Sequence, residues 1–347
     1  MRTPGLFVHA TGVFLGGRVP VTDAVAAGSY DADEAEATGF VSIAVAGDVS
    51  APELGVAASR LALNRAESPG TSLSHLLYAD VHHAGPDGWC PFAYVQRELG
   101  AADALATGIR QGCNGVFGAV ALADGALRTA AAGRSALLVA ADNFSSPLLD
   151  RWRCNPGLVM GDGAAALVLS RTPGFAEVLS VASTTLTELE GLHRGNRPLY
   201  PADVTLGRRL DFGARFAEFA AAGGFFPGSG LEFVRRFAGL VELVLGEAGV
   251  KLDEIARVAF NHGGREVVED RLGPLGVPLE RTTWAFGSTI GHAGAADQII
   301  AFDHLLESGT IGPGDHVLML GVGPGVSIAG AVVRVHATPS WLDRPGD

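Results

Sequence analysis

The chain has 347 residues, of which 48% are hydrophobic and 18% are charged, and its formal net charge is −12 at pH 7. This composition is typical of a globular enzyme with a large buried core and excludes a disordered chain. The excess of negative charge argues against nucleic acid or an anionic membrane surface as the main partner.

The N-terminal stretch MRTPGLFVHATGVFLGG is apolar but interrupted by glycine and proline, which favours a first β-strand over a signal peptide. No uninterrupted apolar run reaches about 18 residues, so no membrane span is expected. The three cysteines are too few for a disulfide framework, and no CxxC motif occurs. Together these features predict a cytoplasmic protein.

Strand-like runs alternate with alanine-rich amphipathic stretches along the first half of the chain. In chain order these segments are GLFVHATGVFL, PELGVAASRLALNRA, TSLSHLLYADV, NGVFGAVALADGALRTAAAG, SALLVAAD and GAAALVLS. Such alternation indicates an α/β protein whose sheets are largely buried. The pattern pauses around SRTPGF at 170–175 and then resumes.

The second half begins with a long segment, 183–230, that is rich in arginine, glycine and phenylalanine and predicts an insertion or a substrate-covering region. LEFVRRFAGLVELVLGEAG then predicts a helix, IARVAFNHGG a strand that runs into a loop, and HVLMLGVG with SIAGAVVRV a closing strand pair. Each half ends in a glycine turn followed by a buried strand, MGDGAAALVLS in the first and LGVGPGVSIAGAVV in the second. This similarity predicts two related halves, 1–172 and 173–347.

Cys113 lies between Gly112 and Asn114-Gly115 at the start of an alanine-rich helix. The helix N-terminus favours a thiolate, and the flanking glycines permit a tight turn that exposes the sulfur, as in a nucleophile elbow. A buried structural cysteine is the alternative, and it suits Cys90 and Cys154 better. We therefore interpret Cys113 as a nucleophile.

His292 and Asp297 lie five positions apart in IGHAGAADQI. Five positions is about 140° around a helix, so the two residues do not share one helical face. The histidine fits a glycine-bracketed turn, and the aspartate fits the first turn of the next helix, from which it can reach back to the ring. A histidine held by a carboxylate is half of a catalytic triad, whereas the alternative is a satisfied histidine beside a solvated acid.

The motifs QGCNGVFGAV, VMGDGAAALVLS and GVGPGVSIAGAVV, in this order and at this spacing, resemble the β-ketoacyl-acyl-carrier-protein synthase III group of thiolase-fold condensing enzymes over most of the chain. The resemblance implies a five-layered αβαβα duplication, a homodimer and no permanently bound cofactor. Its implied substrate is an acyl thioester of coenzyme A or of an acyl carrier protein. Cys113 would take the acyl group, and its backbone N–H with that of Gly325 would form the oxyanion hole.

The chain departs from this family at two motifs. Synthase III enzymes use Cys, His and Asn, with the His in His-Gln-Ala-Asn and the Asn in Gly-Asn-Thr-Ser-Ala. Here AFNHGGREVV replaces the first motif. Matching Arg265 with the family's arginine puts Phe260 at the His position, and a small shift would bring in His262. GHAGAAD replaces the second motif, so His292 occupies the Asn position.

The family's His and Asn stabilise the enolate that forms when a malonyl group loses carbon dioxide, and this chain lacks that donor pair. Its Cys113, His292 and Asp297 are similar to the pattern of an acyl-transferring branch found in antibiotic and polyketide pathways. We therefore expect acyl transfer to a hydroxyl, an amine or another carrier. The alternatives are a chain-initiating decarboxylative synthase III and a non-catalytic subunit that binds a carrier protein. The sequence leaves open the acyl group, the acceptor and the choice between coenzyme A and a carrier protein.

Weaker signals surround this core. His193, in GLHRGN, lies at a place similar to a pocket histidine in some acyl-transferring relatives, and an exposed loop histidine is an equal alternative. Arg265 is interpreted as a contact for a carrier's phosphate or acidic helix, with a plain surface charge as the alternative. His75, His82 and His83 lack a third ligand at a convincing spacing, so no metal site is expected.

Overall fold

The computed structural model describes residues 1–342. Its strands are β1 (Arg2–Leu15), β2 (Gly17–Pro20), β3 (Ser42–Val45), β4 (Leu73–Ala79), β5 (Leu105–Ile109), β6 (Ser135–Asp142), β7 (Gly163–Ser170), β8 (Ala176–Thr185), β9 (Ile255–Ala259), β10 (His316–Gly323) and β11 (Ser327–Val335). Its helices are α1 (Val21–Ala26), α2 (Ala32–Thr38), α3 (Ala51–Arg65), α4 (Pro91–Glu98), α5 (Gly115–Leu127), α6 (Phe212–Ala221), α7 (Ser229–Ala248), α8 (Arg265–Leu272), α9 (Trp284–Gly287) and α10 (Asp297–Glu307).

Nine of these strands form one mixed sheet in the order β5-β4-β6-β7-β1-β8-β11-β10-β9, and β2 pairs with β3 in a separate ribbon. The predicted first strand, β1, lies in the middle of the large sheet, where it pairs antiparallel with β7 on one side and β8 on the other. Because β1 is central, the N-terminal sequence is part of the core. None of the helices within residues 1–342 is long and apolar enough to cross a membrane.

The strand pattern occurs twice. In the first half β1 pairs antiparallel with β7, β7 antiparallel with β6, and β6 parallel with β4. In the second half β8, β11, β10 and β9 repeat these relations in the same order along the chain. The predicted duplication is therefore present. On this repeat we propose that the halves divide in the loop between Ser170 and Ala176, which contains the predicted boundary after residue 172.

Five layers result because helices lie between the two halves of this sheet and also on the outer face of each half. Helices α5 and α10 lie in the central hydrophobic cluster, where Phe117 and Phe302 pack among strand residues of both halves. Helix α3 covers the outer face of the first half, and α7 covers that of the second. Strand β6 illustrates the reason, because successive side chains alternate between faces and Leu137 and Leu138 enter different clusters. The α/β class and the αβαβα arrangement expected from the sequence are confirmed.

The duplication also explains where the candidate functional residues meet. Helix α5 precedes β6 and helix α10 precedes β10, so the two central helices occupy equivalent positions in the halves. Their N-termini lie next to each other, because Gly115 and Ala295, at the starts of these helical segments, are close neighbours. Cys113 lies two residues before the start of α5 at Gly115, and His292 lies two residues before Gly294, where the short helical turn that leads into α10 begins.

Candidate active site

Cys113 lies in the short turn Gly112–Asn114 that leads into α5, where the sequence predicted a nucleophile elbow. Gly112 has a φ of +57°, and a Cβ there would lie 2.5 Å from the Pro324 side chain in the turn between β10 and β11. A Cβ on Gly115 would lie 2.8 Å from the Ala79 side chain. Glycine is therefore required on both sides of the cysteine, by backbone conformation and by packing at Gly112 and by packing alone at Gly115.

His292 follows Gly291, which has a φ of +78°, and its backbone N–H donates to the Val159 carbonyl at 2.7 Å. Its Nε2 lies 3.0 Å from the Cys113 Sγ, and its Nδ1 lies 2.6 Å from Oδ2 of Asp297. All three side chains are buried, with Asp297 fully inaccessible. Sulfur, imidazole and carboxylate therefore form one continuous hydrogen-bonded chain.

Asp297 is fixed by backbone donors as well as by the ring. Oδ1 accepts from the N–H of Ala293 at 2.8 Å, and Oδ2 accepts from the N–H of His262 at 2.7 Å. Asp297 is the first residue of α10, where the helix dipole favours a negative charge. These contacts orient the carboxylate toward Nδ1 of His292, which leaves Nε2 facing the sulfur.

The electrostatics of this hydrogen-bonded chain favour a charged pair of His292 and Asp297. Burial alone would lower the pKa of His292, but attraction to Asp297 and to Cys113 outweighs it and raises this pKa well above its ordinary value. Burial would likewise raise the pKa of Asp297, yet the charges of His262 and His292 and the hydrogen bonds hold it below its ordinary value. The ring therefore carries a proton next to the sulfur and beside an ionised carboxylate.

Cys113 and His292 open into a cavity of about 1160 Å³. Much of its wall comes from the segment 183–230 that the sequence analysis interpreted as an insertion or a cover, and Phe233 and Val234 of α7 extend it. The larger apolar lining residues of the segment are Leu189, Leu192, Val204, Leu210, Phe212, Phe216 and Phe225. Other apolar lining residues include Phe144, Leu149 and Met160. The volume exceeds the range of about 300–1,000 Å³ that is usual for small-molecule sites. The cavity can therefore hold a long arm together with a further group.

Two family models match this chain. The model for 3-oxoacyl-[acyl-carrier-protein (ACP)] synthase III matches residues 108–186, and the model for the C-terminal part of the same enzyme matches residues 245–335. The β-ketoacyl-[acyl-carrier-protein] synthase III of Sphingopyxis alaskensis is 30% identical over 296 residues, which cover 83% of this chain and 85% of that protein. The chain belongs to the synthase III family. The family predicted from the three glycine motifs is thus confirmed.

Other comparisons place this synthase III family member among enzymes of differing activity. Acetoacetyl CoA synthase NphT7 of Streptomyces sp. is 30% identical over 310 residues, 83% of this chain and 85% of that protein. The solved structure of the acyltransferase ChlB3 is 45% identical, covers 97% of this chain and 99% of that chain, and superposes with a TM-score of 0.93. The synthase III of Aquifex aeolicus, at 22% identity and a TM-score of 0.77, shares the fold over 95% of this chain and 99% of that chain.

The structure separates the two residues that the sequence left as alternatives for the family's His. Phe260 lines the cavity wall and packs edge-on against Phe237 at 6.2 Å. The His262 ring lies behind Asp297, with Nδ1 3.2 Å from the Gly291 carbonyl and 3.3 Å from Oδ1 of Asp297. Within residues 1–342, His292 is the one side chain that hydrogen-bonds the Cys113 sulfur. Neither Phe260 nor His262 therefore presents an imidazole to the Cys113 sulfur.

Two further predicted residues, His193 and Gly325, lie at or next to the cavity. His193 lines the cavity, its ring edge-on to Phe212 at 5.6 Å, and burial, with a smaller contribution from Arg215, lowers its pKa. Gly325 lies in the turn between β10 and β11, whose neighbours Pro324 and Val326 line the cavity.

Arg265 begins α8 at the surface, and its guanidinium lies over the Trp284 ring at 5.0 Å. It is not among the residues of 1–342 that line the cavity. The predicted carrier contact of Arg265 therefore stays a prediction about the outer surface. Among the same described residues, no three histidine, cysteine, aspartate or glutamate side chains are grouped so that they could hold a metal ion.

Asp142 is a buried acid next to the site that the sequence analysis did not single out. It ends β6, and its Oδ1 accepts from the N–H groups of Val81 and His82 at 2.9 and 2.8 Å. A Cβ on Gly294, two residues after His292, would lie 2.2 Å from its Oδ2. Burial raises the pKa of Asp142 to about 8. The available signal was an acid at the end of the otherwise apolar strand SALLVAAD.

Proposed function

We propose that this synthase III family member is an acyltransferase. It moves an acyl group from acyl coenzyme A or an acyl carrier protein, through a thioester on Cys113, to a hydroxyl, an amine or another carrier. The observation that carries the proposal is the hydrogen-bonded chain from Cys113 through His292 to Asp297. The similarity to the acyltransferase ChlB3 supports acyl transfer as the reaction, and we propose that it serves polyketide or antibiotic biosynthesis.

In the first half-reaction the Cys113 sulfur attacks the thioester carbonyl of the donor. His292 holds the sulfur's proton on Nε2, and Asp297 stabilises the resulting imidazolium. The tetrahedral oxygen would bind the backbone N–H of Cys113, at the N-terminus of α5, with that of Gly325. When the intermediate collapses, the carbon–sulfur bond to the donor breaks, and the leaving thiolate takes the proton from Nε2.

The second half-reaction needs a neutral imidazole, and acylation supplies it. The raised pKa of His292 depends partly on the nearby charge of Cys113, and that charge is lost when the sulfur carries an acyl group. Nε2 then accepts the proton of the entering hydroxyl or amine while its oxygen or nitrogen attacks the acyl carbon. Collapse of this second intermediate breaks the bond to the Cys113 sulfur and regenerates the pair.

Decarboxylative condensation is the rival reaction, and the position of His262 argues against it. Stabilising the oxygen of a malonyl enolate requires donors that face the reacting group, and losing one typically costs on the order of a hundredfold in rate. His262 instead faces Gly291 and Asp297, away from the cavity. A non-catalytic carrier-binding subunit is disfavoured because it would not need a buried, fully hydrogen-bonded Cys–His–Asp chain.

The test is the mass of the intact protein after exposure to a panel of acyl thioesters that includes malonyl. We expect an added acyl mass that disappears in Cys113→Ala. The matched control is Cys154→Ala, because burial raises the pKa of the Cys154 thiol to about 12 and keeps it unreactive. Retention of intact malonyl or another acyl group supports transfer, whereas carbon dioxide release that depends on Cys113 contradicts it. The homodimer and the cytoplasmic location stay predictions.

A further inference from the structure

The C-terminal end of β4 brings a group of polar side chains to the cavity that the proposed mechanism does not use. Asp80, His82 and His83 all line the cavity, as does Arg110 from the loop before the nucleophile. The strand end lies directly against both catalytic loops. Ala79 is the neighbour of Gly115 after Cys113, and Val81 is a neighbour of Gly294 after His292. These polar groups therefore belong to the wall next to the reacting sulfur.

His82 is held in place at both its backbone and its ring. Its N–H donates to the buried Asp142 at 2.8 Å, and its ring stacks on Phe144 at 5.9 Å with 29° between the planes. The His83 ring stands nearly perpendicular to it, at 5.4 Å. Within residues 1–342 no protein group hydrogen-bonds a ring nitrogen of either histidine. Two imidazoles with free nitrogens therefore line the cavity, and that of His82 is fixed in place.

The Arg110 charge next to these rings is compensated. Arg110 lies 3.4 Å from Asp80, so its guanidinium already has an anionic partner. Burial, then the charges of His83 and Arg110, lowers the pKa of His82 to about 4, which leaves that ring neutral near pH 7. A neutral imidazole both donates and accepts hydrogen bonds. His82 therefore suits an uncharged polar group better than a carboxylate, which would need an unpaired cation.

We infer that His82 and His83 form a subsite for a hydroxyl group on the acyl chain that Cys113 carries. The inference rests on the proposed function, since it concerns the acyl group of that same thioester. Phe144 beneath the ring and the other apolar walls would hold the carbon skeleton, while the imidazoles hydrogen-bond its hydroxyl. Preferred donors are thus hydroxyacyl thioesters, and their unsubstituted analogues load more slowly.

The test compares loading of Cys113 by matched donors, followed by intact mass under single-turnover conditions. One pair is 3-hydroxybutanoyl and butanoyl coenzyme A, and a longer pair is hydroxyphenylacetyl and phenylacetyl coenzyme A. We expect the hydroxylated member of at least one pair to load with a second-order rate constant at least about tenfold higher. Malonyl and succinyl coenzyme A report on a charged substituent.

Variants assign the preference to the subsite. His82→Phe keeps an aromatic ring on Phe144 and should reduce the ratio of loading rate constants within the preferred pair to near one. His82→Gln keeps a hydrogen-bond donor and an acceptor and should retain part of that ratio. The matched control is His75→Phe, the same change on the strand that leads to His82 but outside the cavity lining, and it should keep the full ratio. Melting curves confirm that each variant is folded.

Two results with the wild-type protein would overturn the inference while the proposed function stands. One is equal loading within both pairs, and the other is faster loading of malonyl or succinyl than of any hydroxyacyl donor. A preference that survives His82→Phe would also place the recognition elsewhere. If no donor of any kind loads Cys113, the proposed function fails first and the inference fails with it.

Discussion

Replacing Asp297 by asparagine separates charge from shape at the centre of the site. Both oxygens of the buried carboxylate are occupied, one by the N–H of Ala293 and the other by the N–H of His262 and Nδ1 of His292. Asparagine has a single acceptor oxygen, so its NH2 group must face at least one of these donors. In one orientation the NH2 group faces the Ala293 N–H, so two donors meet without an acceptor. In the other orientation the NH2 group donates to Nδ1 of His292, and the ring proton moves to Nε2.

The second orientation blocks the base, because a protonated Nε2 faces Cys113 in a neutral ring. In both orientations the imidazolium loses its anionic partner. Breaking a buried charge pair costs about 3–5 kcal/mol, and each 1.36 kcal/mol is a factor of ten in rate. We therefore expect Cys113 acylation to slow on the order of 10³-fold in Asp297→Asn, if most of this loss falls on the transition state.

The assay is rapid-quench intact mass with saturating donor, which reports acylation in a single turnover. Asp303→Asn is the matched control, because Asp303 lies on the same helix and pairs with Arg65 outside the cavity. It should acylate at close to the wild-type rate even if its melting temperature falls. An Asp297→Asn protein that is folded and acylates within tenfold of wild type would refute the assigned role of the carboxylate.

Three further predictions follow from other residues. The pKa of Asp142 is raised to about 8, so the free energy of unfolding should fall as pH rises from about 4 to 8, by up to about 1.4 kcal/mol per pH unit. Denaturant titrations should find a smaller slope in Asp142→Asn, and an unchanged slope would contradict this prediction. Arg151 makes two hydrogen bonds of 3.1 Å with the buried Asp162, so Arg151→Met should lower the free energy of unfolding by about 3–5 kcal/mol. A loss below about 1 kcal/mol in denaturant titrations would be inconsistent with a buried ion pair. Transfer from the isolated acyl-enzyme should speed up as pH rises, because Asp297 still raises the pKa of His292 after the Cys113 charge is lost and a ring protonated by solvent cannot act as the base. Stopped-flow transfer with a midpoint below the ordinary histidine pKa of about 6.5 would count against this effect of Asp297.

The sequence predicted the parts of the site that depend on local chain geometry. Gly112 and Gly115 mark the turn at Cys113 because no other residue fits there, and the structure places that turn before α5 as expected. The spacing of His292 and Asp297 excluded a shared helical face, and the structure brings the carboxylate back to Nδ1 from the first residue of α10. Glycines and helix starts are visible in sequence, so these features were predictable.

Contacts between distant segments were not predictable in the same way. Whether Phe260 or His262 faces the sulfur depends on how the loop after β9 meets the start of α10, 35 residues later, and the bond from the His262 N–H to Asp297 decides it. Asp142 approaches Gly294 from another strand, and no local pattern records that pairing. Arg265 was visible as a charge, but its position over Trp284 depends on tertiary packing.

The central claim is that Cys113 passes its acyl group to an acceptor without loss of carbon dioxide. The most direct measurement isolates the acyl-enzyme, adds an alcohol, an amine, a thiol carrier or malonyl carrier protein in separate reactions, and follows the protein mass, the product mass and carbon dioxide together. The account predicts that the acyl mass leaves Cys113 for an oxygen, nitrogen or carrier acceptor, and that no carbon dioxide forms. Discharge only by malonyl carrier protein, with one carbon dioxide for each acyl group lost, would contradict it.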